Sequence, residues 1–107
     1  MKFLVSKEDL KLEGEYNILY FYATWLNEHK KMMTMLSKME DKYSINFYGI
    51  NVDEFKLFCK VYSIYTIPTI VILKDKKEIR RITGVVMTSA LKNSFYEMIK
   101  LNKADIK

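Results

Sequence analysis

This chain of 107 residues is poor in several residue types at once: one cysteine, one proline, one histidine, one tryptophan and three glycines. A lone cysteine, Cys59, excludes an internal disulfide and fits a reducing compartment. One Cys and one His cannot furnish a tetrahedral zinc site, so neither a metal nor another cofactor is expected. So little Gly and Pro argues against long disordered linkers. No apolar run approaches the length of a membrane span, and the opening MKFLVSKEDLKL returns to charge straight after Phe3-Leu4-Val5. Neither a membrane segment nor a signal peptide is expected, and the chain reads as one soluble cytoplasmic domain over residues 1–107.

Half of the residues are hydrophobic, enough for a real core at this length. The formal net charge is +5. The basic residues lie scattered or in short groups: Lys30-Lys31, Lys74 with Lys76-Lys77, and Arg80-Arg81. Groups of this size can touch phosphates, but they fit a solvated surface better than a nucleic-acid footprint. There is no internal repeat and no low-complexity segment.

Periodicity supplies the elements. Phe3 to Val5 is a short β-type run. Ser6-Lys7-Glu8-Asp9 has the form of a capping box and predicts a short helix around Asp9 to Leu12. Asn17 to Ala23 is a near-continuous apolar run, the mark of a strand covered on both faces. From Glu28 onward, Met32, Met35, Leu36 and Met39 follow helical spacing with one buried stripe, which makes these methionines core residues; Met33 falls off the stripe. Ser44 to Val52 reads as the next strand. Glu54 to Tyr62 reads as a helix with Phe55, Phe58, Cys59 and Tyr62 on one face. Thr69 to Leu73 is again a buried strand. Asp75-Lys76-Lys77 makes a tight connection to an outer strand over Ile79 to Thr83. Thr88 can cap a last helix with Leu91, Phe95, Met98 and Ile99 inward, before a polar tail. Helical crossovers imply parallel strands early and an antiparallel hairpin late. The expected class is α/β, a three-layer α/β/α sandwich around a mixed five-stranded sheet.

That element order resembles the thioredoxin family, together with an aromatic-rich strand leading to Trp25 and an Ile67-Pro68-Thr69 opening a later strand. Trp25, Lys30, Asn51-x-Asp53, Ile67-Pro68-Thr69 and Gly84 fall in register with the family pattern from about Phe3 to Lys100. The resemblance implies the thioredoxin fold and a cis bond before Pro68. It also exposes departures. Where the family has C-x-x-C, this chain has Leu26-Asn27-Glu28-His29. In the family the first thiolate attacks a substrate disulfide and the second cysteine resolves it. The family's buried Asp behind the cysteines aligns with Tyr20, and the Lys usually paired with it aligns with Gly49. The resemblance therefore implies the frame of an oxidoreductase without its dithiol chemistry, and no catalytic residue is assigned.

In thioredoxin-like proteins substrates dock beside the Trp, the cis-Pro loop and the loop at the conserved Gly. Carried over, the binding residues are Trp25, Leu26, His29, Thr66, Ile67, Pro68, Gly84 and Val85. Leu26 is expected to be exposed beside Trp25 and Ile67, forming an apolar cluster suited to a partner. His29, at the first turn of a helix, is expected to be neutral and packed over Pro68, because the positive end of the helix dipole disfavours an imidazolium. The expected partner is a protein or an extended peptide, gripped by backbone pairing and the apolar cluster. Two alternatives stand beside this: residual thiol redox through Cys59, and service as an accessory subunit of a nucleic-acid enzyme. Nothing in the pattern fixes an oligomeric state.

Overall fold

A computed structural model of the chain describes residues 1–43 and 45–84 together with Asn93, Tyr96 and Glu97. The expected final helix, with its inner face of Leu91, Phe95, Met98 and Ile99, falls outside the described residues, as does Val85. Asn93, Tyr96 and Glu97 themselves are helical.

Five strands form one mixed sheet: β1 (Lys2–Phe3), β2 (Tyr16–Tyr22), β3 (Asn46–Asn51), β4 (Thr69–Lys74) and β5 (Lys77–Thr83). Their order across the sheet is β1-β3-β2-β4-β5. β3 runs parallel to both β1 and β2, whereas β4 is antiparallel to both β2 and β5. Helix α1 (His29–Tyr43) covers one face and the short α2 (Lys56–Val61) the other.

The central strands show why the apolar runs were unbroken. On β2, Ile18, Tyr20 and Tyr22 enter the core under α1, while Leu19 and Phe21 enter the core on the α2 side. A strand with helices on both faces has no solvent side to mark with polar residues. The α1 stripe of Met32, Met35, Leu36 and Met39 is buried as its spacing predicts. Burying such side chains stabilises the fold by about 1.5–3 kcal/mol each. α2 is shorter than the expected Glu54 to Tyr62; its residues Phe58 and Cys59 and its flanking caps Phe55 and Tyr62 are partly buried against the second core.

Three sequence expectations are displaced. The first strand is Lys2–Phe3 rather than Phe3 to Val5: Leu4 turns into the core and Val5 points to solvent. The expected helix at Asp9 to Leu12 is instead a 3-10 turn over Lys7–Asp9. There the Asp9 carboxylate accepts the backbone N–H of Val5 (2.9 Å) and Ser6 (3.0 Å), so the cap closes but no helix follows. The outer strand begins at Lys77, because Asp75 and Lys76 both take left-handed φ values (50° and 70°) and turn the chain within two residues. Such a turn matches the twist of a hairpin.

Candidate functional site

Register gathers the expected site at one end of the sheet. The end of β2 lies beside the end of β3, with Tyr22 opposite Asn51. It also lies beside the start of β4, with Phe21 opposite Thr69. Thr69 in turn faces Thr83 at the end of β5. Trp25 to His29, Thr66 to Pro68, and Gly84 therefore all leave the sheet at this end. The Gly84 N–H donates to the Pro68 carbonyl at 2.8 Å, tying two of these segments together. Gly84 has φ +79°, a conformation that glycine adopts without the steric cost other residues bear. The Ile67–Pro68 peptide bond is cis. The Pro68 carbonyl is taken by Gly84, but the N–H and C=O of Ile67 have no backbone or side-chain partner among the described residues.

Trp25 is 65% exposed, yet it is not loose: its indole Nε1–H donates to Asp53 Oδ2 at 3.1 Å. Asp53 is held in turn, its backbone N–H donating to Asn51 Oδ1 at 2.9 Å. An exposed indole fixed in this way offers a large apolar face to a partner at low entropic cost. The sequence placed Asp53 in register but gave no sign of this role, which depends on the close approach of two loops.

Leu26 departs from expectation. It is half-buried rather than exposed, because the turn that opens α1 folds it inward. Its N–H donates to the Ala23 carbonyl, and its own carbonyl accepts the N–H of His29, both at 3.2 Å. Thr66 is exposed, Ile67 half-buried and Pro68 buried. Of the three apolar side chains Trp25 is thus the most exposed, with Leu26 and Ile67 partly sunk.

His29 has partners the sequence did not foresee. Its ring stacks on Tyr22, with centroids 4.5 Å apart and planes 11° apart, and lies nearly parallel to Tyr20 at 5.9 Å. Tyr20 Oη and His29 Nδ1 are 3.0 Å apart. With His29 neutral and protonated on Nε2, the Tyr20 hydroxyl donates to Nδ1. Burial lowers the His29 pKa from its ordinary value, and burial raises that of Tyr20, aided by Tyr22. Both groups are therefore neutral in the same range. The two positions that carry an acid and a thiol in the family pattern are still joined here, but by an uncharged phenol–imidazole pair. The third departure has an equally plain occupant. A Cβ at residue 49 would lie 2.5 Å from the Phe3 ring, so Gly49 is what lets that ring cross the strand. Phe3 then meets Tyr22 edge-on at 5.8 Å.

Cys59 is half-buried against the α2-side core. Burial, and secondarily the charge of Asp53, push its thiol pKa up, which lowers the thiolate fraction at neutral pH. Among the described residues no group of His, Cys, Asp and Glu could hold a metal ion, and no helix is long and apolar enough to cross a membrane. Lys74, Lys76 and Lys77 lie at the opposite end of the sheet from Trp25, since Lys74 pairs with Tyr16 at the start of β2. Another contributor the sequence did not reveal is Arg81, whose guanidinium reaches the carbonyls of Tyr62 and Ser63.

Comparison with known proteins accords with this geometry. The family model for thioredoxin matches residues 6–97. Thioredoxin-1 of Saccharomyces cerevisiae is 29% identical over 68 residues, 63% of this chain and 66% of that protein. Thioredoxin-2 of the same yeast is 31% identical over 68 residues, 63% of this chain and 65% of that protein. The matches thus span slightly less than two thirds of either relative. Among solved structures, oxidised thioredoxin from Plasmodium falciparum superposes with a TM-score of 0.82 at 22% identity, covering 91% of this chain and 96% of that one. Mitochondrial thioredoxin 3 from S. cerevisiae gives 0.77 at 26% identity, covering 91% and 94%. With its sheet, its Trp25 and Ile67-Pro68 in place and Leu26 and His29 at the positions of the two cysteines, the chain belongs to the thioredoxin family.

Proposed function

We propose that this protein is a binding or adaptor module that keeps the thioredoxin frame without dithiol exchange. It grips an extended peptide, or an extended segment of a partner protein, in the cytoplasm. The docking end comprises Trp25, Leu26, His29, Thr66, Ile67, Pro68, Gly84 and Val85. The observation that carries this reading is Ile67: a backbone donor and acceptor, unpaired among the described residues, at the sheet end that also displays the tethered indole of Trp25. Backbone N–H and C=O groups left open at a surface favour pairing with an extended chain, and apolar neighbours add selectivity.

The site's chemistry supports binding over catalysis. His29 is committed to Tyr20 and Tyr22, and Leu26 has no reactive atom. A redox role through Cys59 is disfavoured by the raised thiol pKa and by packing against the α2-side core. A role in a nucleic-acid enzyme draws little support from the docking end, where Lys30 and Lys31 are the basic pair and the lysines of the β4–β5 hairpin lie at the other end of the sheet.

The reading is tested by selecting peptides from a displayed random library on the folded protein. The best peptide is then titrated against wild type and a Leu26→Asp, Trp25→Ala variant whose fold is confirmed by circular dichroism. Removing an anchor of this kind costs about 2 kcal/mol or more, so the variant should bind at least about thirtyfold more weakly. Equal affinity for both proteins would place docking elsewhere.

A further inference from the structure

The loop between α2 and β4 is held by a residue far along the chain. α2 ends in a Schellman arrangement: the Ser63 N–H donates to the Lys60 carbonyl at 3.2 Å and the Ile64 N–H to the Cys59 carbonyl at 2.8 Å. That ending requires a left-handed residue after the cap, normally glycine. Here it is Ser63, at φ 53°. A serine at this φ carries a steric cost that glycine escapes, so something must favour it.

Arg81 on β5 is placed to do so. Its Nη2 donates to the Tyr62 carbonyl at 2.6 Å and its Nη1 to the Ser63 carbonyl at 2.8 Å. The rest of the fork is occupied by Glu78, with Nε to Oε2 at 2.9 Å and Nη2 to Oε1 at 2.8 Å. The guanidinium thus spans the two carbonyls that flank the left-handed turn, while Glu78 keeps it from swinging away. At the other end of the loop the Thr69 hydroxyl donates to the Thr66 carbonyl. Between these two anchors stands Tyr65, 91% exposed, and after it the backbone of Ile67, unpaired among the described residues. A planar fork that grips two carbonyls at once is a geometry lysine cannot copy.

We propose that Arg81 is a positioning residue of the docking end: by gripping the Tyr62 and Ser63 carbonyls it fixes residues 63–67 in the conformation that turns Tyr65 outward and presents the Ile67 backbone to a partner. The inference rests on the docking reading above. Its physical content is pre-organisation, since a loop already ordered loses less entropy when a partner binds.

The probe is the library-selected peptide, titrated against wild type, Arg81→Ala, Arg81→Lys and the double variant Arg81→Ala, Ser63→Gly, with amide hydrogen exchange read in parallel. Arg81→Ala should weaken binding about tenfold and speed exchange at residues 64–67, leaving β2 and β4 protected. Arg81→Lys, which keeps the charge and loses the fork, should behave as Arg81→Ala does and carries the test if the alanine variant does not fold. Ser63→Gly should recover most of the loss, because glycine takes the left-handed turn unaided. Full affinity in both single variants, or a loss that Ser63→Gly does not relieve, would overturn the proposal. A peptide indifferent to Leu26→Asp, Trp25→Ala would instead overturn the docking reading itself.

Discussion

At the scale of single residues, the cysteine positions of the family pattern hold other side chains here while the frame around them keeps its fold. His29 is the clearest case, being stacked, hydrogen-bonded to a buried phenol and seated at the first residue of α1. Burial holds its pKa below the ordinary 6.5. The unfolded chain therefore takes up this proton more readily than the folded one. Stability contributed by neutral His29 is complete above about pH 6.5 and falls as pH drops below that value toward the folded pKa. Urea denaturation of wild type between pH 7.5 and 5 should show this decline, and His29→Phe should flatten it. An equal slope in both proteins would assign the pH dependence to other groups. Asp9 titrates in a lower window, its pKa depressed chiefly by the Ser6 N–H and next by that of Val5.

At the scale of elements, what the sequence disclosed and what it hid have separate physical causes. Strands β2 and β4 were legible because unbroken apolar runs leave little alternative to burial on both faces. Helix α1 was legible because four buried residues recur at helical spacing. The short β1 was misplaced because apolar character alone cannot tell Leu4, which enters the core, from Val5, which does not. The half-burial of Leu26 is invisible in the sequence because it is set by a turn rather than by a periodic pattern. The Arg81 fork and the Trp25–Asp53 bond join residues distant in sequence, so no local pattern announces them.

Gly49 was visible only as a missing lysine; its purpose lies in the packing of β1 on β3. Gly49→Ala should destabilise the fold by about 1–3 kcal/mol, because the new methyl group must displace the Phe3 ring. In a Phe3→Ala background the same change should cost much less, and chemical denaturation of the four proteins reads the coupling directly. Strictly additive effects would mean the ring is not what excludes a side chain there.

For the whole molecule, the sheet separates two surfaces. One end gathers the strand termini, the tethered Trp25, the neutral His29–Tyr20 pair and the Ile67 backbone, unpaired among the described residues. The other carries the lysines of the β4–β5 hairpin. The fold follows the family pattern, whereas Leu26 and His29 stand where that pattern has its cysteines. The proposed function rests on that combination: the family frame with a single cysteine, and so without a dithiol pair. The most direct test is to titrate the library-selected peptide into isotope-labelled protein and map the backbone amide shifts by NMR. The largest shifts should fall at Trp25, Leu26, Thr66, Ile67 and Gly84, with the β4–β5 hairpin unmoved. Shifts centred on Lys74 to Lys77, with the Trp25 end silent, would contradict it.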